Sequence, residues 1–224
     1  AEIQEYVPSY PKKAWPVTVR QLMAHMGGVR HYRDTEWGDK PTTHCERAAD
    51  GVATFATDPL LFAPESETRY STYGWVLVSA AVERAAGEPF ADFMRARVFA
   101  PLGMTQTSSE SDTAPGAPRV TSYFRNNFNR ETTTSVDYSC FAGGGAFWST
   151  PSDLVRFGLG LLGGRLLQPD TVRFLHTRQT LRSGAETSYG LGWSVDVAEL
   201  AGERTVLVSQ ASRTIEGAAT SLLL

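Results

Sequence analysis

The chain has 224 residues, 42% of them hydrophobic and 20% charged, which suits one large folded domain or two small ones. A formal charge of −3, with no Lys/Arg-rich run and no aromatic-interleaved basic stripe, excludes the electrostatic footprint of a nucleic-acid binder. No apolar run approaches the roughly 20 residues that span a bilayer, and AEIQEYVPSY lacks the basic start and apolar core of a signal peptide.

Residues 1–15, AEIQEYVPSYPKKAW, form a surface connection, because Pro8 and Pro11 forbid a regular helix. Thr18 then caps VRQLMAHMGG, in which Val19, Leu22, Met23 and Met26 repeat at helical spacing and Gly27-Gly28 supplies the stop. His25 lies in the last turn of this helix, either as a catalytic base or for local hydrogen bonding and the helix dipole. The polar, aperiodic VRHYRDTEWGDKPTTH is read as a surface loop that overhangs a pocket. A second helix is predicted over residues 45–57, with Ala48, Ala49, Val52, Phe55 and Ala56 inward.

The stretch TRYSTYGWVLVSAAVERAAG, residues 68–87, predicts a helix from about Thr72 with Tyr73, Val76, Leu77 and Ala80 in one buried stripe. Tyr70, Ser71 and Thr72 then lie at its N-terminal end, where unpaired N–H groups and the helix dipole favour negative charge and ease the ionisation of a phenol. The competing reading is that Ser71 or Thr72 only caps the helix and Tyr70 packs beneath it.

A further helix is predicted over residues 90–99, with Phe90, Phe93, Met94 and Val98 on one face, and residues 105–118 form an exposed loop. Residues 120–141 alternate aromatic and polar side chains, as short strands or as a folded loop. In AGGGAFWSTPSD, residues 142–153, three glycines permit close backbone approach and S-T-P-S-D opens a helix with Leu154, Phe157, Leu161 and Leu162 inward. A phosphate cradle is the weaker alternative, for no G-x-x-x-x-G-K-[ST] or G-x-G-x-x-G accompanies them. A short helix at residues 168–177 precedes GLGWSVDV, RTVLVS and GAATSLLL, which read as an antiparallel meander. Helices first and strands together at the end make the class α+β. An antiparallel sheet flanked by helices joins a mainly helical part at residues 17–163, with the strands at 188–224. The proline-rich start and an end at Leu224 inside an apolar strand lead us to expect a piece of a larger domain, incomplete at both ends.

Cys45 and Cys140 lack close partners at metal-ligand spacing, and His25, His31, His44 and His176 form no H-E-x-x-H, which disfavours a metal site. The two cysteines read as free, partly buried thiols, with a single long-range disulfide as the alternative.

Taken in order, VTVRQLMAHMGGVRHY, DPLLFAPESETRYSTYGWVLVSAAVERAAGEPFADFM, FAPLGM, AGGGAFWSTPSDLVRFG and SYGLGW resemble the serine β-lactamase-like and penicillin-binding family, in its class C-like branch. The resemblance covers the chain from about Ile3 to the end. It implies a serine hydrolase that acts on peptide, ester or β-lactam carbonyls through an acyl-enzyme, without a cofactor, in a periplasmic or secreted setting. In such a family a serine from S-x-x-K attacks the carbonyl, helped by the lysine and by a tyrosine from Y-x-N. Tyr70 matches that tyrosine, and Thr72 stands where asparagine is usual. Gly144 belongs to the loop beside the pocket. Gln210-Ala211-Ser212 stands where K-T-G or H-T-G is expected, so Gln210 brings no positive charge and Ser212 adds a side chain along the strand. Ser9-Tyr10-Pro11-Lys12 satisfies S-x-x-K literally, but Pro11 opposes the helix that would align the pair. The resemblance therefore implies that the nucleophile belongs to an N-terminal segment missing from this chain. The alternative is a non-catalytic binding or scaffold member of the same fold.

Overall fold

A computed structural model describes residues 1–33, 36, 44–109, 123–125, 130–132, 137–213 and 219–224. The architecture is α+β, with helices α1 (Val19–Met23), α2 (Ala48–Gly51), α3 (Thr72–Ala86), α4 (Phe90–Met94), α5 (Ala100–Leu102), α6 (Pro151–Leu162) and α7 (Pro169–Leu175). Strands β1 (Ser108–Ser109) and β4 (Phe147–Trp148) pair antiparallel, as do β2 (Tyr123–Arg125) and β3 (Arg130–Thr132). The C-terminal meander has β5 (Ser194–Leu200), β6 (Glu203–Arg213) and β7 (Ala219–Leu223) in sequential antiparallel order.

The central element is α3. Ser71 caps it by accepting from the Gly74 N–H at 2.9 Å, and Gly87 ends it in the left-handed conformation at φ 75°. Ten of its 15 residues are buried, more than one stripe allows. Tyr73, Val76, Leu77 and Ala80 face the main core with Ile3, Val17, Leu22, Val52 and Phe55. A second apolar row, Trp75, Val78 and Val82, lines a groove described below. A helix apolar on two faces belongs between layers rather than on a surface.

Several boundaries depart from expectation, each for a local reason. The first helix stops at Met23, and its stop is His25 at φ 58°, ahead of the glycines. A Cβ on Gly27 would lie 2.9 Å from Leu22 Cδ2, and one on Gly28 2.5 Å from the Phe62 carbonyl oxygen, so these glycines permit close packing. The expected helix at 45–57 shrinks to α2 and a 3-10 turn, Val52–Thr54, with Ala49 exposed. There Gly51 meets the Cys140 carbonyl so closely that a Cβ would stand 2.2 Å from its oxygen.

Residues 90–99 do not form one α-helix. After α4 the chain widens into a π turn, Arg95–Phe99, in which the Ala100 N–H reaches the Arg95 carbonyl, and Pro101 follows without an N–H to donate. The shift turns Phe99 inward. On α6 the expected inward Leu162 is 59% exposed. Gly158 and Gly160 are buried instead, on different sides of the helix, because Leu224 approaches the first and Leu102 the second too closely for a side chain. Ser108 and Ser109, expected in a loop, pair with β4, and the remainder of that loop from residue 110 lies outside the described residues. Residues 120–136 are described only at the β2–β3 ladder.

The cysteines are bonded rather than free: Cys45 and Cys140 form a disulfide across 95 positions. The Cys45 N–H also donates to Ser139 Oγ, and His44 Nδ1 lies 2.7 Å from Asp137 Oδ2. Together these bind the approach to α2 to the 3-10 turn Ser139–Gly144, which packs against α3.

Candidate active site

Tyr70 is 48% exposed at the mouth of α3, immediately before the capping Ser71. Backbone bonds on both sides of it hold the chain in place. The Arg69 N–H donates to the His25 carbonyl at 2.9 Å, and the Ser71 N–H donates to His25 Nδ1 at 3.2 Å. The Thr72 N–H donates to His31 Nδ1 at 3.2 Å, and the Ser71 hydroxyl donates to the Arg30 carbonyl at 2.8 Å.

The His25 N–H still donates to the Leu22 carbonyl at the end of α1, but its ring bonds elsewhere, accepting from Ser71, 46 positions away. Its ring is 5% exposed and lies between Tyr70 and Tyr189, at centroid distances of 4.5 and 4.8 Å. Burial, with the nearby His31, pushes its pKa down to about 4, so it is neutral at pH 7. An Nδ1 that accepts leaves Nε2 as the protonated nitrogen, and Nε2 is buried without a hydrogen-bond partner among the described residues.

Thr72 is buried in the first turn of α3, and Gly144 presses on it: a Cβ on Gly144 would lie 2.5 Å from Thr72 Cγ2. Gly143 approaches Ser79 similarly, at 3.1 Å. Ala142, just before them, sits at φ 39° and ψ −112°, a conformation few L residues adopt. The close approach expected of this glycine run is thus made against α3. Gln210 on β6 connects to the helix start indirectly. Its Oε1 accepts the Tyr189 hydroxyl at 2.7 Å, and Tyr189 packs on His25. Burial raises the Tyr189 pKa, with Tyr70 adding to the effect, so its hydroxyl stays protonated to donate. Ser212 lies two residues farther along β6, exposed and paired with Thr220. The structure thus sets Gly144 against Thr72, two residues after Tyr70, and connects Tyr70 to Gln210 through His25 and Tyr189. Ser212 stands apart on the strand.

Sequence reasoning missed Tyr189, His31 and the second role of His25. Only the SYGLGW block carried a signal for Tyr189. Among the described residues, no three His, Cys, Asp or Glu side chains gather as a metal would require. Ser9 and Lys12 are exposed on non-helical backbone, and Ser9 lines a pocket with Glu83, Arg84 and Gly87 at the C-terminal end of α3. Since α3 has 15 residues, that end is roughly 20 Å from Tyr70.

The family model described as Beta-lactamase matches residues 1–216. The chain belongs to the beta-lactamase family. The mitochondrial serine beta-lactamase-like protein LACTB of Bos taurus is 25% identical over 86% of the chain and 51% of its own length. Penicillin-binding protein 4* of Bacillus subtilis is 24% identical over 86% of the chain and 45% of its own length. The chain thus spans about half the length of these relatives. The penicillin-binding protein of Bacillus halodurans superposes with a TM-score of 0.74 at 21% identity, covering 100% of the chain and 71% of that structure. The D-amino acid amidase of Ochrobactrum anthropi, complexed with L-phenylalanine, gives 0.72 at 24% identity, over 99% and 67%. At these identities the two structures establish the fold, a β-lactamase/transpeptidase-like α+β architecture.

Proposed function

We propose that this chain carries the tyrosine-bearing part of a serine hydrolase site that acts on peptide, ester or β-lactam carbonyls through an acyl-enzyme. Its nucleophile lies in a segment outside these 224 residues. The carrying observation is Tyr70, half exposed at the start of a buried helix, within a stretch matched by the family model and held by the rings of His25 and His31. In this reading Tyr70 is the base or proton shuttle. It takes the serine proton as Oγ attacks the carbonyl carbon, and backbone N–H groups receive the oxyanion. The leaving amine or alcohol departs with a proton, and water then cleaves the acyl ester. Thr72 is a polar partner of Tyr70, and Gln210 and Ser212, on one face of β6, border the substrate.

Two observations support a nucleophile from elsewhere. The only literal S-x-x-K, at Ser9, sits at the far end of α3. Beside α3 runs an apolar groove of about 720 Å³, lined by Trp75, Val78, Val82, Phe90, Phe93 and Phe147. It suits an apolar helix supplied by that segment, whether as part of the same protein or as a separate chain. A second reading, a non-catalytic scaffold, is favoured by Gln210, which carries no charge and is engaged by Tyr189. Nitrocefin, a p-nitrophenyl ester and a fluorophosphonate probe, applied to the protein with and without the N-terminal segment, separate the two. Labelling of an upstream serine that slows in Tyr70→Phe supports the hydrolase. An upstream segment without a reactive serine supports the scaffold.

A further inference from the structure

The histidines around Tyr70 have no part in the chemistry above, yet two of them converge on it from one loop. His25 and His31 lie six residues apart, and their Nδ1 atoms accept from consecutive amides, those of Ser71 and Thr72. Both imidazoles also touch the ring of Tyr70, at centroid distances of 4.5 and 5.3 Å. The same loop supplies the His25 and Arg30 carbonyls to Arg69 N–H and to the Ser71 hydroxyl. His25 adopts its left-handed φ of 58° at the point where the chain turns from α1 toward Tyr70.

We infer that His25 and His31 are positioning residues for Tyr70, a pair of imidazoles that fix its backbone through the Ser71 and Thr72 amides at the start of α3 and its ring by contact. The amides at a helix start are donors with no intrahelical partner, so an unprotonated Nδ1 satisfies them. A proton on Nδ1 removes the acceptor and sets N–H against N–H at the positive end of the helix dipole. Among the described residues, the charged and titratable groups around the pair include Tyr70 and Tyr189 on either side of His25, and Tyr32 against His31. Arg30 donates to the His31 carbonyl and is itself neutralised by Glu36 and Asp58. Arg69 is exposed and pairs with Glu67. Among the described residues no carboxylate contacts His25, so its contact with the Ser71 amide holds while the ring is neutral and is lost with acid.

The catalytic meaning of the clamp rests on Tyr70 being the base proposed above; its existence is read without activity. Amide hydrogen exchange by NMR, normalised to intrinsic rates, follows Ser71 and Thr72, with Val76 and Leu77 as controls inside α3. Asparagine places its Oδ1 where Nδ1 was and does not titrate, and it tolerates a left-handed backbone. In His31→Leu the Thr72 amide is expected to exchange at least about fivefold faster at pH 7, the effect of one lost hydrogen bond. His31→Asn restores it to within about twofold. In the unmutated chain Ser71 loses protection as pH falls toward 4, and in His25→Asn it does not. Unchanged Thr72 exchange in His31→Leu, or failure of His31→Asn to restore it while Val76 stays protected, overturns the inference. If His31→Leu loses protection throughout α3, the acid profile of Ser71 decides: a profile identical in His25→Asn and the unmutated chain overturns it. Loss of serine labelling in Tyr70→Phe reports separately on the base.

Discussion

Reducing the Cys45–Cys140 disulfide is expected to destabilise this chain more than most single side-chain losses. The bond closes a loop across 95 positions. In the chain-entropy account a loop of that length constrains the unfolded state by about 4.7 kcal/mol at 25 °C. Native contacts add to the dependence, because the bond holds the turn Ser139–Gly144 against α3, where Gly144 backs Thr72. The Cys45→Ser/Cys140→Ser double variant keeps the Cys45 N–H bond to Ser139 and the His44–Asp137 pair, so the loss is mainly that of the cross-link. Urea unfolding followed by tryptophan fluorescence measures it. With m at about 3 kcal/mol per M, the midpoint falls by roughly 1.5 M. Thiol counting in denaturant is expected to find no free thiol before reduction and both cysteines after. Two reactive thiols before reduction, or a midpoint within about 0.3 M of the oxidised chain, would refute this reasoning.

The approach of Gly144 to Thr72 yields a second expectation. Gly144→Ala forces a Cβ to 2.5 Å from Thr72 Cγ2, destabilising by about 1–3 kcal/mol, and Thr72→Ser, which removes that methyl, recovers most of the loss in the double variant. Independent, additive effects in urea titrations count against the contact. Buried His25 sets an acid dependence of known sign. Its folded pKa of about 4 lies below the unfolded value of about 6.5, so its contribution is complete above pH 6.5 and is lost as pH falls toward 4, by at most about 3 kcal/mol. His44 beside Asp137 acts in the opposite sense, because its pKa is raised, but it is largely exposed and contributes little. Stability measured between pH 4 and 7 should therefore flatten in His25→Asn; an unchanged slope contradicts the assignment.

What was legible in the sequence was whatever local chemistry decides. The start of α3 is written in Ser71 and Thr72, its end in Gly87, and its buried stripe in the spacing of Tyr73, Val76, Leu77 and Ala80. The three C-terminal strands follow from apolar runs broken by turn residues. Long-range contacts were not legible. The disulfide partner of Cys45 lies 95 positions away, and no spacing rule specifies it. The stop of α1 at His25 depends on Gly27 and Gly28 being needed for packing against Leu22 and Phe62. Nor could one period show that α3 is apolar on a second face, since Trp75, Val78 and Val82 face a groove built by α4 and β4. At the site, Tyr70 and Thr72 stood out because they share the helix start. The link from His25 through Tyr189 to Gln210 joins three separate segments and emerges only when the chain is folded.

The most direct test of the account is fluorophosphonate labelling with peptide mapping, on these 224 residues alone and on the protein extended by its N-terminal segment. The account predicts no labelled serine in the 224 residues alone, including Ser9, and one labelled serine in the extension, at a rate that drops in Tyr70→Phe. Labelling of Ser9, or of any other serine in the 224 residues alone, would contradict it.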